Sequence, residues 1–142
     1  MSDWWQWSPI KANQKLGFAV VGIGRFGSAV CRELLRNGAD VLAVDSSEKA
    51  IEELRQLEPT IEARVVDSTD EESMKEAGVL EMGTVVVGIS EPIEASITTT
   101  LIAKDTEGSL VKQVIARATS DLHEKMLKRV GADRVVFPSR MQ

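Results

Sequence analysis

Unbroken apolar runs alternate along this chain with stretches in which apolar residues recur every three or four positions. Leu16 to Ile23 reads as a first strand. Phe26, Ala29, Val30 and Leu34 then fall at helical spacing, and Gly38 closes that helix. Val41 to Val44 is a second strand. Ile51, Leu54 and Leu57 mark a second helix, stopped by Pro59. A short third strand lies near Ala63 to Val66. Thr69-Asp70-Glu71-Glu72 has the form of a capping box, with Thr69 as N-cap and Glu72 reaching back, and Gly78 ends the helix it starts. Thr84 to Val87 is apolar without alternation, which predicts a strand buried on both faces, as in a parallel sheet. Pro92 opens a fourth helix carrying Ile93, Ile97, Leu101 and Ile102. Leu110 to Ala116 is a fifth strand. Leu122, Met126, Leu127 and Val130 mark a fifth helix, with Gly131 beyond its end, and Arg134 to Phe137 is a sixth strand.

Six strands with intervening helices predict an α/β fold, a Rossmann-like doubly wound parallel sheet in the order 3-2-1-4-5-6. The junction of the first strand and helix sharpens this. Gly22-Ile23-Gly24-Arg25-Phe26-Gly27 is a Gly-x-Gly-x-x-Gly turn, and the second strand ends on Asp45, 18 residues beyond Gly27. In such a turn the first glycine permits the tight bend. The second lets the backbone approach a pyrophosphate, and the third lets the helix pack close to the strand. The helix start offers N–H groups and partial positive charge to phosphates, while the acid accepts the hydroxyls of an adenosine ribose. Strand, turn, helix, second strand and acid in order make the motif far more specific than the glycines alone.

The chain divides into a tryptophan-containing arm, residues 1–15, and one nucleotide-binding domain, residues 16–142. No length remains for a substrate domain. Trp4, Trp5 and Trp7 lie in the arm, and either pack on the domain or anchor to a partner. The composition, 43% hydrophobic and 27% charged, is that of a globular protein with a real core. The net charge of -5 argues against a general nucleic-acid surface. Eight acids against Arg64 and Lys75 between Glu58 and Glu81 read as a solvated face. A single cysteine, Cys31, cannot form an internal disulfide and is consistent with a reducing cytosol. No apolar run approaches the roughly 20 residues needed to span a bilayer, so direct membrane insertion is not expected.

The candidate site gathers at the carboxyl ends of the strands. Gly22, Ile23, Gly24, Arg25, Phe26 and Gly27 form the phosphate turn, with Arg25 either reaching a terminal phosphate or exposed at a helix start. Asp45 and Ser46 follow the second strand, and the acid either binds ribose or caps the next helix. With no base directly after it, Asp45 disfavours a 2′-phosphate and hence NADP. Asp67 and Ser68 follow the third strand, at the adenine end or as helix caps. Ser90 and Glu91 follow the fourth. Arg117 ends the fifth, near phosphate or paired with Asp121. His123, beside Glu124 and Lys125, reads as a surface residue, and Cys31 as a small core residue. No catalytic group and no metal-ligand cluster is legible.

These residues resemble the N-terminal nucleotide-binding (KTN or RCK-N) domain of prokaryotic potassium-transport regulators. The resemblance covers about Gly17 to Pro138. It is carried by the Gly22–Gly27 turn with its Arg25-Phe26 pair, by Val41 to Asp45, Asp67-Ser68-Thr69 and Glu94-Ala95-Ser96, and by the stretch from Val130 to Pro138. It implies a cytosolic regulatory subunit, peripheral to the inner face of the membrane through its partner, and not an enzyme. Such a subunit binds an adenine nucleotide, ATP or ADP and in some members NAD or NADH. It pairs as a homodimer, with an octameric ring as the larger assembly, and gates a potassium-translocating membrane subunit by conformational change. By position, the glycine turn and Arg25 hold phosphates, Asp45 the ribose, Asp67 and Ser68 the adenine region, while Arg117 approaches phosphates, in some members across the dimer. Ser139 stands where several relatives carry a cation-holding Glu after the proline. The competing expectation is the NAD-binding domain of an oxidoreductase or of a redox sensor.

Overall fold

A computed structural model describes residues 17–140. The chain alternates strand and helix: β1 (Phe18–Val21), α1 (Arg25–Arg36), β2 (Val41–Asp45), α2 (Glu48–Leu57), β3 (Glu62–Val65), α3 (Glu71–Ala77), β4 (Thr84–Val87), α4 (Ile93–Asp105), β5 (Gln113–Arg117), α5 (Asp121–Arg129) and β6 (Arg134–Val136). All pairings are parallel and the order is β3-β2-β1-β4-β5-β6. This is the doubly wound arrangement that the sequence predicts. The tryptophans of the arm lie outside the described residues.

Alternation along the central strands sorts the core into two layers. Phe18 and Val20 of β1 point to one face, where Phe26, Val30 and Leu34 of α1 and Ile51 and Leu54 of α2 cover them. Ala19 and Val21 point to the other, against Met74 of α3, Ala103 of α4 and Leu127 of α5. Phe18, Val20 and Leu42 are fully or almost fully buried, and each such side chain contributes about 1.5–3 kcal/mol relative to exposure. β1 pairs with β2 on one side and β4 on the other, so the direction of winding reverses at its carboxyl end. A crevice opens there because the loops after β1 and β4 leave toward opposite faces.

Several boundaries differ from the sequence reading, β3 and β6 by no more than a single residue at either end. β5 begins at Gln113, because the Leu110 N–H is taken by the Leu80 carbonyl at 2.8 Å and that stretch runs outside the ladder. β1 ends at Val21, since Gly22 turns at φ +94° and Ile23 falls beyond the bend. The α3 cap is Asp70, one residue later than the capping box suggests. Its Oδ2 accepts the Ser73 N–H at 3.1 Å, and Thr69 is instead drawn to Asp67. A carboxylate next to a hydroxyl is the stronger acceptor for the free amides of a helix start.

Candidate functional site

The turn after β1 is shaped by two close approaches and one open space. A Cβ on Gly27 would lie 1.9 Å from the Gly22 carbonyl oxygen, so α1 reaches the strand only because that atom is missing. At Gly24 a Cβ would meet nothing within 4 Å. The second glycine therefore faces the crevice and leaves room for a ligand against bare backbone. Gly24 is also the N-cap of α1, and no side chain caps the helix there. The positive end of a 12-residue helix is thus turned toward the crevice with no side-chain cap and no acid in its own first turn.

Asp45 closes the other side. Its Oδ2 accepts the Ile23 N–H at 2.6 Å and its Oδ1 accepts the Ser47 N–H at 2.8 Å. The α2 helix is capped separately, by Ser47 Oγ accepting from the Ala50 N–H at 3.1 Å. Capping therefore does not consume Asp45. Its carboxylate is oriented by two backbone donors, and each oxygen keeps a further lone pair for hydroxyls in the crevice.

The crevice is a cavity of about 380 Å³, within the usual range for small-molecule sites. Gly22, Gly24, Asp45 and Ser46 line it from the β1 and β2 ends. Asp67 and Ser68 line it from the β3 end, and Ser90 and Glu91 from the β4 end. Val21, Thr69, Gly88, Ile89, Pro92 and Ala95 complete the wall; of these the sequence reading named none as site residues. Asp67 is exposed, and hydrogen bonds from the Thr69 hydroxyl (2.6 Å) and N–H (3.0 Å) hold its carboxyl below the usual range. Both bonds fall on Oδ1, which leaves Oδ2 as an acceptor of hydrogen bonds. Charge is therefore divided along the cavity: an anion-accepting helix start at β1, and donor-accepting carboxylates at the ends of β2 and β3.

Five candidate residues lie behind or beside this wall. Ile23 and Phe26 are buried in the core, with Ile23 reaching the site through its N–H on Asp45. Gly27 serves packing. Arg25 is exposed at the first position of α1, and takes no part in the ion pairs among the described residues. Arg117 sits with its guanidinium 5.4 Å from the Phe26 ring centroid, so it abuts the turn from below. Its Nε is buried without a hydrogen bond, and burial lowers the guanidinium from its ordinary value. The alternative partner of Arg117, Asp121, is paired with Arg140 at 3.5 Å.

His123 corrects the sequence reading. It is fully buried, with Nε2 2.6 Å from Ser96 Oγ and Nδ1 accepting the Thr119 N–H at 3.1 Å. Its polar neighbours Glu124 and Lys125 suggest a surface, but four residues on lies Leu127, also fully buried. The two share one face of the helix, but Leu122 and Met126 form a competing i, i+4 pair, so the spacing alone does not place His123 inside. Burial, and then the nearby Arg117 charge, lower its basicity. Cys31 is in the core as expected, its thiol pushed up to about 12 by burial and by Glu58.

A parallel sheet with an uncapped glycine turn at its switch point and an acid across from it defines a Rossmann-type domain. Within that class, the chain belongs to the TrkA-N domain family, whose pattern matches residues 18–138. It is 40% identical over 126 residues to Ktr system potassium uptake protein C of Bacillus subtilis (strain 168), covering 89% of this chain and 55% of that protein. Among solved structures it is similar to the TrkA-N domain of inner membrane protein YbaL from Escherichia coli (TM-score 0.75, 25% identity, 88% of this chain and 89% of that one). It is also similar to the NAD(P)-binding domain of an exopolyphosphatase-related protein from Archaeoglobus fulgidus (TM-score 0.74, 25% identity, 87% and 89%). The chain spans about half the length of the curated relatives it matches first. Among the described residues no helix is long and apolar enough to cross a membrane.

Proposed function

We propose that this domain senses an adenine nucleotide and passes its binding state to a potassium-translocating membrane protein. The observation that carries the reading is the pairing of an uncapped helix start at Gly24 with the oriented carboxylate of Asp45 across one cavity. An anion and a vicinal diol on one molecule meet both, and a nucleotide supplies them together. In this reading phosphates lie on the α1 amides with Arg25 at their far end. The ribose lies on Asp45 and Ser46, and the Asp67 Oδ2 accepts from the adenine amino group beside Ser68. Ser90 and Glu91 close the middle, and Arg117 steadies the turn through Phe26 or reaches phosphate in a neighbouring copy.

The ligand is ATP or ADP by preference, and NAD or NADH is the second choice. The kinship with a Ktr uptake protein supports a role beside a transporter in the cytoplasm, peripheral to the membrane. Leu101, Leu122 and Met126, exposed on α4 and α5, support self-association, with a homodimer as unit and an octameric ring as its extension. The domain does no chemistry on its ligand. This reading rests on the glycine turn, which carries no phosphate-loop lysine.

Calorimetric titration with ATP, ADP, NADH and coenzyme A in parallel tests the reading. We expect micromolar-range binding of at least one adenine dinucleotide or adenosine phosphate, with the ligand recovered intact. Sustained turnover of ATP or NADH above the background of a glycine-turn variant would put an oxidoreductase or hydrolase in its place. The Arg25→Ala variant should narrow the affinity ratio of ATP to AMP, and an unchanged ratio removes Arg25 from the terminal phosphate.

A further inference from the structure

The inward side of α4 is built from hydroxyls. Ser96, Thr99 and Thr100 are fully buried together with Ala103, while the larger Leu101 is exposed. Ile97 and Ile102 pack on the core beside them, so the helix is seated by directional bonds as well as by apolar contact.

Two of those bonds leave the helix toward different neighbours. Thr99 Oγ1 lies 2.8 Å from Ser68 Oγ and donates to the Ser68 carbonyl at 3.2 Å, and Ser68 lines the cavity. Three residues earlier, Ser96 Oγ lies 2.6 Å from His123 Nε2 on α5. Counting protons fixes the direction of the second bond. The Thr119 N–H donates to Nδ1, so Nδ1 carries the lone pair and Nε2 the hydrogen. Ser96 spends its own hydroxyl hydrogen on the Ile93 carbonyl at 2.9 Å, which leaves its oxygen to accept from Nε2–H. Ile93 follows Pro92, a residue of the cavity wall. Every proton in the chain from Thr119 through His123 and Ser96 to Ile93 thus has one destination.

We propose that α4 is a polar strut joining the cavity to α5, with Thr99 and His123 as its positioning residues. Thr99 holds Ser68 in the wall at the β3 end. His123 holds Ser96, and with it the start of α4 behind Ser90 to Pro92. A ligand that shifts either wall reseats α5, whose outer face presents Leu122 and Met126 to a neighbour. Hydrogen bonds suit this task because their geometry is narrow, so a small displacement at one end breaks a bond instead of being absorbed. The strut rests on the reading of the cavity as a nucleotide site only for the identity of what moves it.

His123 is the single histidine of the chain, so its ring nitrogens are read in uniformly labelled full-length protein by long-range nitrogen–proton correlation, without assignment. Wild type should give the neutral Nε2–H pattern, with two well separated ring nitrogens. Ser68→Ala and Thr99→Val, both on the cavity side, should shift these signals without ligand. Glu76→Gln, exposed on α3, should leave them in place. Thr99→Ser keeps the hydroxyl and should restore the wild-type pattern, which separates a bonding role from simple packing. Saturating ATP or NADH, with binding measured by calorimetry on the same samples, should move the signals in wild type and move them less in Thr99→Val. Folded Ser68→Ala and Thr99→Val proteins with wild-type His123 signals would overturn the strut, as would Thr99→Ser behaving like Thr99→Val. Absence of any nucleotide binding would overturn the ligand assignment alone, since the ligand-free comparison still decides the strut.

Discussion

The Asp45 carboxylate holds the Ile23 N–H at 2.6 Å, joining the end of β2 to a peptide inside the glycine turn of β1. The acid proposed for the ribose therefore also sets the shape of the turn proposed for the phosphates. Asp45→Ala should weaken adenine-nucleotide binding about 10- to 150-fold, the loss of one charged hydrogen bond of roughly 1.5–3 kcal/mol. Asp45→Asn keeps an acceptor for Ile23 and should lose less. Titration calorimetry of the three proteins checks this, and equal affinities would take Asp45 out of the site.

Two glycines three residues apart should respond in opposite ways. Gly27→Ala drives a methyl into the Gly22 carbonyl, 1.9 Å away, where backbone must move on both sides. We expect a loss of at least about 4 kcal/mol in stability, in the range of severe core defects. Gly24→Ala has open space before it and an extended backbone, φ -93°. It should cost about 1 kcal/mol or less as an N-cap change. Yet it places a methyl where the phosphates are proposed to lie, and should lower nucleotide affinity about tenfold or more. Denaturant melts and titrations on both variants distinguish the two effects.

The buried His123 predicts a pH dependence with a definite sign. Its folded basicity lies below the ordinary value of 6.5, because burial and Arg117 oppose the charge and Thr119 already donates to Nδ1. As pH falls through 6.5 the unfolded chain takes up a proton that the folded chain refuses, so stability falls. The decline continues down to the folded value and then levels for this group. Denaturant midpoints between pH 7.5 and pH 5.5 should fall in wild type, and His123→Gln should lack that component while being less stable throughout. A wild-type profile that is flat across this window would mean that the imidazole is solvated as in the unfolded chain, and a rise in stability toward pH 5.5 would mean that it is paired with an acid.

Cys31 should be chemically silent. With its thiol raised to about 12, only about one molecule in ten thousand carries a thiolate at pH 8. Modification by a disulfide reagent should follow the rate of global unfolding and become immediate in denaturant. Rapid labelling of the native protein would place the residue at a surface.

Sequence and structure agree most where local sterics leave few choices. A Gly-x-Gly-x-x-Gly turn between strand and helix admits essentially one geometry, and Asp45 follows from the parallel pairing of β1 and β2. Agreement is poorer where residues of mixed character face inward. The apolar residues of α4 suggest that Ile93, Ile97, Leu101 and Ile102 form its buried stripe, yet the fully buried face is Ser96, Thr99, Thr100 and Ala103. In α5 Leu122 and Met126 form one i, i+4 pair and His123 and Leu127 another, and hydropathy favours the pair that turns out to be exposed. Hydroxyls and an imidazole are buried there because they satisfy one another, a relation between distant positions that no local pattern displays. Arg117 illustrates the same limit. Its place beneath Phe26 depends on how β5 stands against α1, which spacing along the chain does not encode.

The uncapped start of α1 leaves its free amides to be met by solvent or by a bound anion. At a free nucleotide concentration of about 100 times its dissociation constant, the ligand would add about 2.7 kcal/mol to the resistance of the domain to unfolding. The melting temperature of the domain therefore becomes a gauge of nucleotide supply. On the proposed reading, the persistence of the domain against proteolysis would decline in a cell whose nucleotide supply drops.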